Sequence, residues 1–108
     1  MTDLHDLNER LIQNSCVVSL HIDIEKDTLK YNLLLTMSES ENESGDKLVL
    51  YFWDVSDLQL VEFGGGLTQL MHLNISRLTS GQDRMHFSLT ELEHGKISFN
   101  FVSVDDMS

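Results

Sequence analysis

The sequence predicts an antiparallel, mainly β fold, a sandwich or small barrel of six to seven strands with a short N-terminal helix. Three observations carry this. Apolar and polar residues alternate with period two over most of the chain, turn-forming clusters recur about every ten residues, and helical periodicity is confined to the first 13 residues. The 108 residues fit one domain, 1–108, without repeat or interdomain linker, and the absence of proline leaves every potential ladder donor in place.

Thr2 or Asp3 caps a helix through about Gln13, where Leu4, Leu7, Leu11 and Ile12 form one apolar stripe. From Val18 the period becomes two: Val18, Leu20, Ile22 and Ile24 form the packed face of a strand, with Ser19, His21, Asp23 and Glu25 on the wet face. A tight turn at Lys26 and Asp27 leads into a second strand in which Leu29, Tyr31, Leu33, Leu35 and Met37 alternate with polar residues. Residues 38–46 contain no apolar side chain and read as an exposed acidic loop. Leu48 to Trp53 is apolar on both faces, the pattern of a central strand covered from two sides. Asp54 to Asp57 supplies turn formers, Leu58 to Phe63 resumes an extended run, and Gly64-Gly65-Gly66 ends it.

A further strand holds Met71, Leu73 and Ile75, and a turn follows at Thr79 to Asp83. Met85, Phe87 and Leu89 then pair through a turn at Glu93 to Lys96 with Ile97, Phe99 and Phe101. The last residues, Asp105 to Ser108, are expected to fray.

Eighteen acids against seven lysines and arginines give a formal net charge of −11. Nucleic acid and anionic membrane surfaces both demand surplus cations, so neither is an expected partner and a basic protein is. The apolar stretches are too short to cross a bilayer, the N-terminus lacks a basic n-region, and Cys16 is the single cysteine, which together point to the cytoplasm.

Five histidines occur without metal-ligand spacing. His21 and Asp23 share a strand face, but any solvent face produces that spacing. Glu91 and Glu93 are a carboxylate pair bordering a turn, where charges usually serve solubility rather than acid–base chemistry. Cys16 reads as a structural thiol, and the triple glycine as a turn, since no Gly-Lys-Ser/Thr sequence follows it. No catalytic residue, metal or cofactor is expected. Trp53 and Tyr51 suit core packing, with a pocket lining as the other use.

The succession KLVLYFWDVSDLQLVEFGGG, followed by TQLMHLNIS and closed by HGKISFNFVSVDD, resembles small bacterial immunity proteins of polymorphic and contact-dependent toxin systems over about residues 17 to 104. Phe52, Asp54, Val55, Ser56, Phe63, Gly64 and Gly65 carry it, with Ile97 to Phe101 at the end. The resemblance implies an inhibitor of a co-produced toxin and transfers no binding residue, because such families vary their surfaces.

The resulting expectation is a non-enzymatic protein that neutralises a cognate basic toxin through acids at Glu39, Glu41, Glu43, Asp46, Asp54 and Asp57, with Glu91 and Glu93 as a second cluster. The alternative is a small-ligand binding module whose cavity is lined by Tyr51, Trp53, Phe87 and Phe99. Open sheet edges also leave pairing of two copies possible.

Overall fold

The longest strand organises the sheet, because its two edges and its bend decide where the other strands lie. The computed structural model describes residues 3–40, 46–78 and 86–108. Along the chain it contains α1 (Leu4–Gln13), β1 (Cys16–Ile24), β2 (Tyr31–Ser38), β3 (Lys47–Leu60), β4 (Leu73–Arg77), β5 (Phe87–Glu91), β6 (Ile97–Phe101) and β7 (Ser103–Asp106). The strands form one antiparallel open sheet in the order β1-β2-β3-β6-β5-β4, with β7 also on β3. The mainly β class and the N-terminal helix are as the sequence predicts, with seven strands in a single sheet.

One edge of β3 pairs with β2 between Lys47 and Val55, while the other takes β7 along Leu50 to Trp53 and β6 along Ser56 to Leu60. Asp54 to Asp57 therefore does not turn the chain, as the sequence suggested. Hydrogen bonds on both edges hold it extended, and the mismatch is absorbed by register shifts and by positive φ at Asp54 (56°) and Asp57 (53°). Aspartate tolerates the left-handed region better than most residues, so the same composition serves a bulge as well as a turn.

One sheet face carries the core. Leu33 and Leu35 of β2, Leu50 and Phe52 of β3, Leu89 of β5 and Phe99 and Phe101 of β6 are buried, and Phe52 meets Phe99 and Phe101 edge-on with centroids 5.0 and 4.8 Å apart. Helix α1 adds Leu7 and Leu11, each fully buried and worth roughly 1.5–3 kcal/mol by area. Ile12 is exposed instead of completing the predicted stripe. The Asp3 carboxylate caps the helix by accepting from the His5 N–H. Asn8 docks the helix on edge strand β4: its Oδ1 accepts from the Ile75 N–H (2.7 Å) and its Nδ2 donates to the Ile75 carbonyl (3.0 Å).

Edge strand β1 departs from its predicted face. A register shift between Val17 and Ser19 displaces Val18 to solvent, and Ile22 and Ile24 are also exposed because nothing among the described residues covers that end of the sheet. At the opposite end, Val17 N–H donates to the Thr68 carbonyl (3.0 Å) and Leu70 N–H to the Ser15 carbonyl (2.8 Å), joining β1 to the segment before β4.

Other boundaries move too. Leu29 sits in the β1–β2 turn at φ 59°, Met71 lies in a turn before β4, and β3 stops at Leu60 rather than running to Phe63. Met85 and the expected turn at 79–83 lie outside the described residues, as do positions 41–45 of the acidic loop. The C-terminal end is ordered as β7, with Val104 opposite Phe52 and Met107 N–H donating to the Val49 carbonyl (2.8 Å).

Candidate functional site

Alternation along β3 puts Phe52 in the core and Tyr51 and Trp53 on the outer face. β3 is central in the sheet, as predicted, but among the described residues only its inner face is covered, and Trp53 is 37% exposed. Register then builds a row across four strands: His21 of β1 lies opposite Leu34 of β2, Leu34 opposite Tyr51 of β3, and Tyr51 opposite Asp105 of β7. The Tyr51 and Trp53 rings meet edge-to-face, with centroids 4.6 Å apart and planes at 85°.

A carboxylate flanks the aromatic pair on each side. Trp53 Nε1 donates to Asp105 Oδ2 (2.9 Å), and Tyr51 Oη donates to Asp23 Oδ2 (3.4 Å), while His21 Nε2 lies 3.1 Å from Asp23 Oδ1. Desolvation pushes the Tyr51 phenol up, and the Asp23 charge pushes it the same way, so the ring stays a neutral donor. Beneath this face the Asn32 side chain is buried; its Nδ2 donates to Glu25 Oε2 (2.9 Å) and its Oδ1 accepts from the Asp54 N–H (3.0 Å). One side chain thus ties the β1–β2 hairpin to the bend of β3. Hydrogen bonds from Asn32 and Thr28 hold the Glu25 carboxyl below its usual range. Lys30 Nζ stands 3.9 Å from Asp54 Oδ2.

The predicted acids do not converge on one surface. Glu39 and Asp46 lie near one end of the β2–β3 pair, whereas Asp54 and Asp57 sit at the bend, so Asp46 and Asp54 are separated by about 26 Å of strand. Glu41 and Glu43 lie outside the described residues. Asp57 Oδ2 accepts from Asn100 Nδ2 (3.3 Å), and Glu93 is exposed in the turn between β5 and β6. Glu91 is no surface acid: it is 1% exposed, and its carboxylate is directed to backbone N–H groups of that turn.

Sequence reasoning missed Asp105 and the outward direction of Trp53. His21 and Asp23 were visible as a shared polar face, but their neighbours across the sheet depend on register.

The aromatic residues of the small-ligand alternative also divide. Phe87 and Phe99 pack inside while Tyr51 and Trp53 face out, so the four line no common cavity. An apolar cleft of about 330 Å³ lies instead between Ile22, Tyr31, Leu33, Val55 and Leu58, and another of about 440 Å³ beside Arg77, His86 and Phe87. Among the described residues no three His, Cys, Asp or Glu side chains converge as metal ligands, and no helix is long and apolar enough to cross a membrane.

The fold and this face define a small, acid-rich, mainly β protein with an aromatic patch on one side of its sheet. Comparison with protein-family models, with curated proteins and with solved structures returned no match.

Proposed function

We propose that this chain is a non-enzymatic, immunity-type protein that neutralises a basic, co-produced toxin in the cytoplasm, docking it on the outer face of β1, β2, β3 and β7. The observation that carries the reading is the outward-facing pair of half-buried Tyr51 and exposed Trp53, hydrogen-bonded to Asp23 and Asp105 in a chain of net charge −11. Tyrosine and tryptophan are over-represented where binding energy concentrates, and complementary charge accelerates encounter. The resemblance of residues 17 to 104 to immunity proteins supports the same reading.

Charge and contact then divide the work. Asp23, Asp54 and Asp105 lie at or beside the aromatic pair, whereas Glu39, Asp46 and Glu93 act through the long-range field. With a screening length of about 8 Å at physiological salt, such distant acids change association rate at low salt and little else.

The test starts from a tagged pull-down in source-cell lysate, washed at two salt concentrations, followed by kinetics on the recovered basic toxin domain and an assay of its inhibition. Trp53→Ala should weaken the complex by about 2 kcal/mol, roughly 30-fold, mostly in dissociation rate. Glu39→Gln with Asp46→Asn should slow association at low salt only. Unchanged affinity in Trp53→Ala and Asp105→Asn would remove this face from the interface.

A further inference from the structure

We infer that the side chain received at this face is an arginine of the partner, stacked on the Trp53 ring with its guanidinium held by Asp105, while a second cation meets Asp23. The inference rests on the reading that the outer face is the docking surface, and it adds the chemistry of what docks.

Asp105 Oδ2 already accepts from Trp53 Nε1 at 2.9 Å, which fixes the carboxylate at the edge of the indole ring. An ionised carboxylate has about four acceptor sites, so a cation lying over the ring finds further acceptors beside it. Arginine suits both demands, because its planar, weakly hydrated guanidinium stacks on an aromatic face and donates in a fixed fork. A lysine ammonium is a compact, strongly hydrated point charge and satisfies only the carboxylate.

The site is held ready. Tyr51 packs edge-on against Trp53 and is tied through its hydroxyl to Asp23, so little side-chain freedom remains to be lost on binding. Asp23 and Asp105 stand on β1 and β7, three strand spacings apart across β2 and β3 and two residues out of row, since His21 and not Asp23 shares the row of Asp105, so their backbones are about 16 Å apart. An extended segment presents residues four apart on one face at about 13–14 Å, and the long flexible stems of two cationic side chains span the remaining distance. The matching determinant is therefore a basic extended segment with cations at positions i and i+4. A second copy of this chain is a poor occupant, since it would bring another net charge of −11 against the first.

Trp53 is the single tryptophan, so its fluorescence reports on this site alone. The experiment titrates the full chain at low ionic strength with acetyl-Arg-Ala-Ala-Ala-Arg-amide and with the same peptide carrying lysine or glutamine in place of arginine. A saturable emission change is expected with the arginine peptide, at about tenfold lower affinity with lysine and absent with glutamine. Asp105→Asn should weaken the arginine peptide about tenfold. Far-UV circular dichroism checks that this variant folds, and Asp23→Asn supplies the same comparison should it not. Equal affinity for arginine and lysine peptides overturns the arginine assignment and leaves the basic-partner reading standing. No saturable response to either charged peptide overturns both.

Discussion

The Glu91 carboxylate accepts from the backbone N–H groups of Glu93 (2.8 Å), His94 (2.9 Å) and Lys96 (3.2 Å), so one side chain holds the turn between β5 and β6. Burial pushes its pKa up, but the N–H groups of Lys96, Glu93 and His94 together outweigh burial and hold it below the ordinary glutamate value. A carboxyl with a lowered folded-state pKa contributes stability above its unfolded pKa and loses it as pH falls through the folded one. Asp106 behaves alike: burial raises its pKa, and hydrogen bonds from Arg10 and Ser108 bring it below the usual range. Glu91→Gln, which keeps one acceptor oxygen and removes the charge, should destabilise the protein by about 1–2 kcal/mol at pH 7. Urea unfolding at pH 7 and pH 3 should show that deficit shrinking with acid. A variant as stable as the parent at pH 7 would mean that the turn forms without the carboxylate.

At the scale of elements, the β4 edge of the sheet is protected by the helix. Asn8 satisfies both the N–H and the carbonyl of Ile75 on β4, as a neighbouring strand would, while Leu7 and Leu11 on the same helix reach the core. Asn8→Ala raises helix propensity by about 0.5 kcal/mol and strips both bonds. It should cost about 1–2 kcal/mol and speed hydrogen exchange at the Ile75 amide, and unchanged exchange there would show that the edge is covered in another way. Asn8 had no signature in the sequence, since a polar residue on a helix looks the same in solvent or against an edge. Strands with one buried face, such as Leu33 to Met37 and Ile97 to Phe101, were legible because the period of two records that burial directly. β7 was not, because Ser103-Val104-Asp105-Asp106 holds one apolar residue and is fixed by its pairing with β3. Trp53 misled for the opposite reason: a strand apolar on both faces suggests two covers, whereas here the second face is a surface. The candidate site was half legible, with the charge in the composition and its placement beside the aromatic pair hidden in the register.

For the whole molecule, a net charge of −11 on 108 residues sets two salt responses of opposite sign. Within the monomer the surplus carboxylates repel one another, and the compact state suffers more than the extended chain because its charges lie closer. Among the described residues two ion pairs join an always-charged base to a carboxylate, Arg10–Asp106, which is partly buried and screened less, and Lys30–Asp54, which is largely exposed and contributes little. Repulsion should therefore dominate, so raising sodium chloride from about 10 to 150 mM, which shortens the screening length from about 30 to 8 Å, should raise Tm by a few degrees. The same addition should slow association with a basic partner, because it shortens the reach of the field that brings the two together. Glu39→Gln with Asp46→Asn removes two charges remote from the aromatic pair and should raise Tm at low salt while flattening both responses. Thermal unfolding and association kinetics across one salt series test this jointly. A Tm that falls with salt would show that the ion pairs outweigh the repulsion, and the acidic surplus would then be neutral for the fold rather than a cost tolerated for binding.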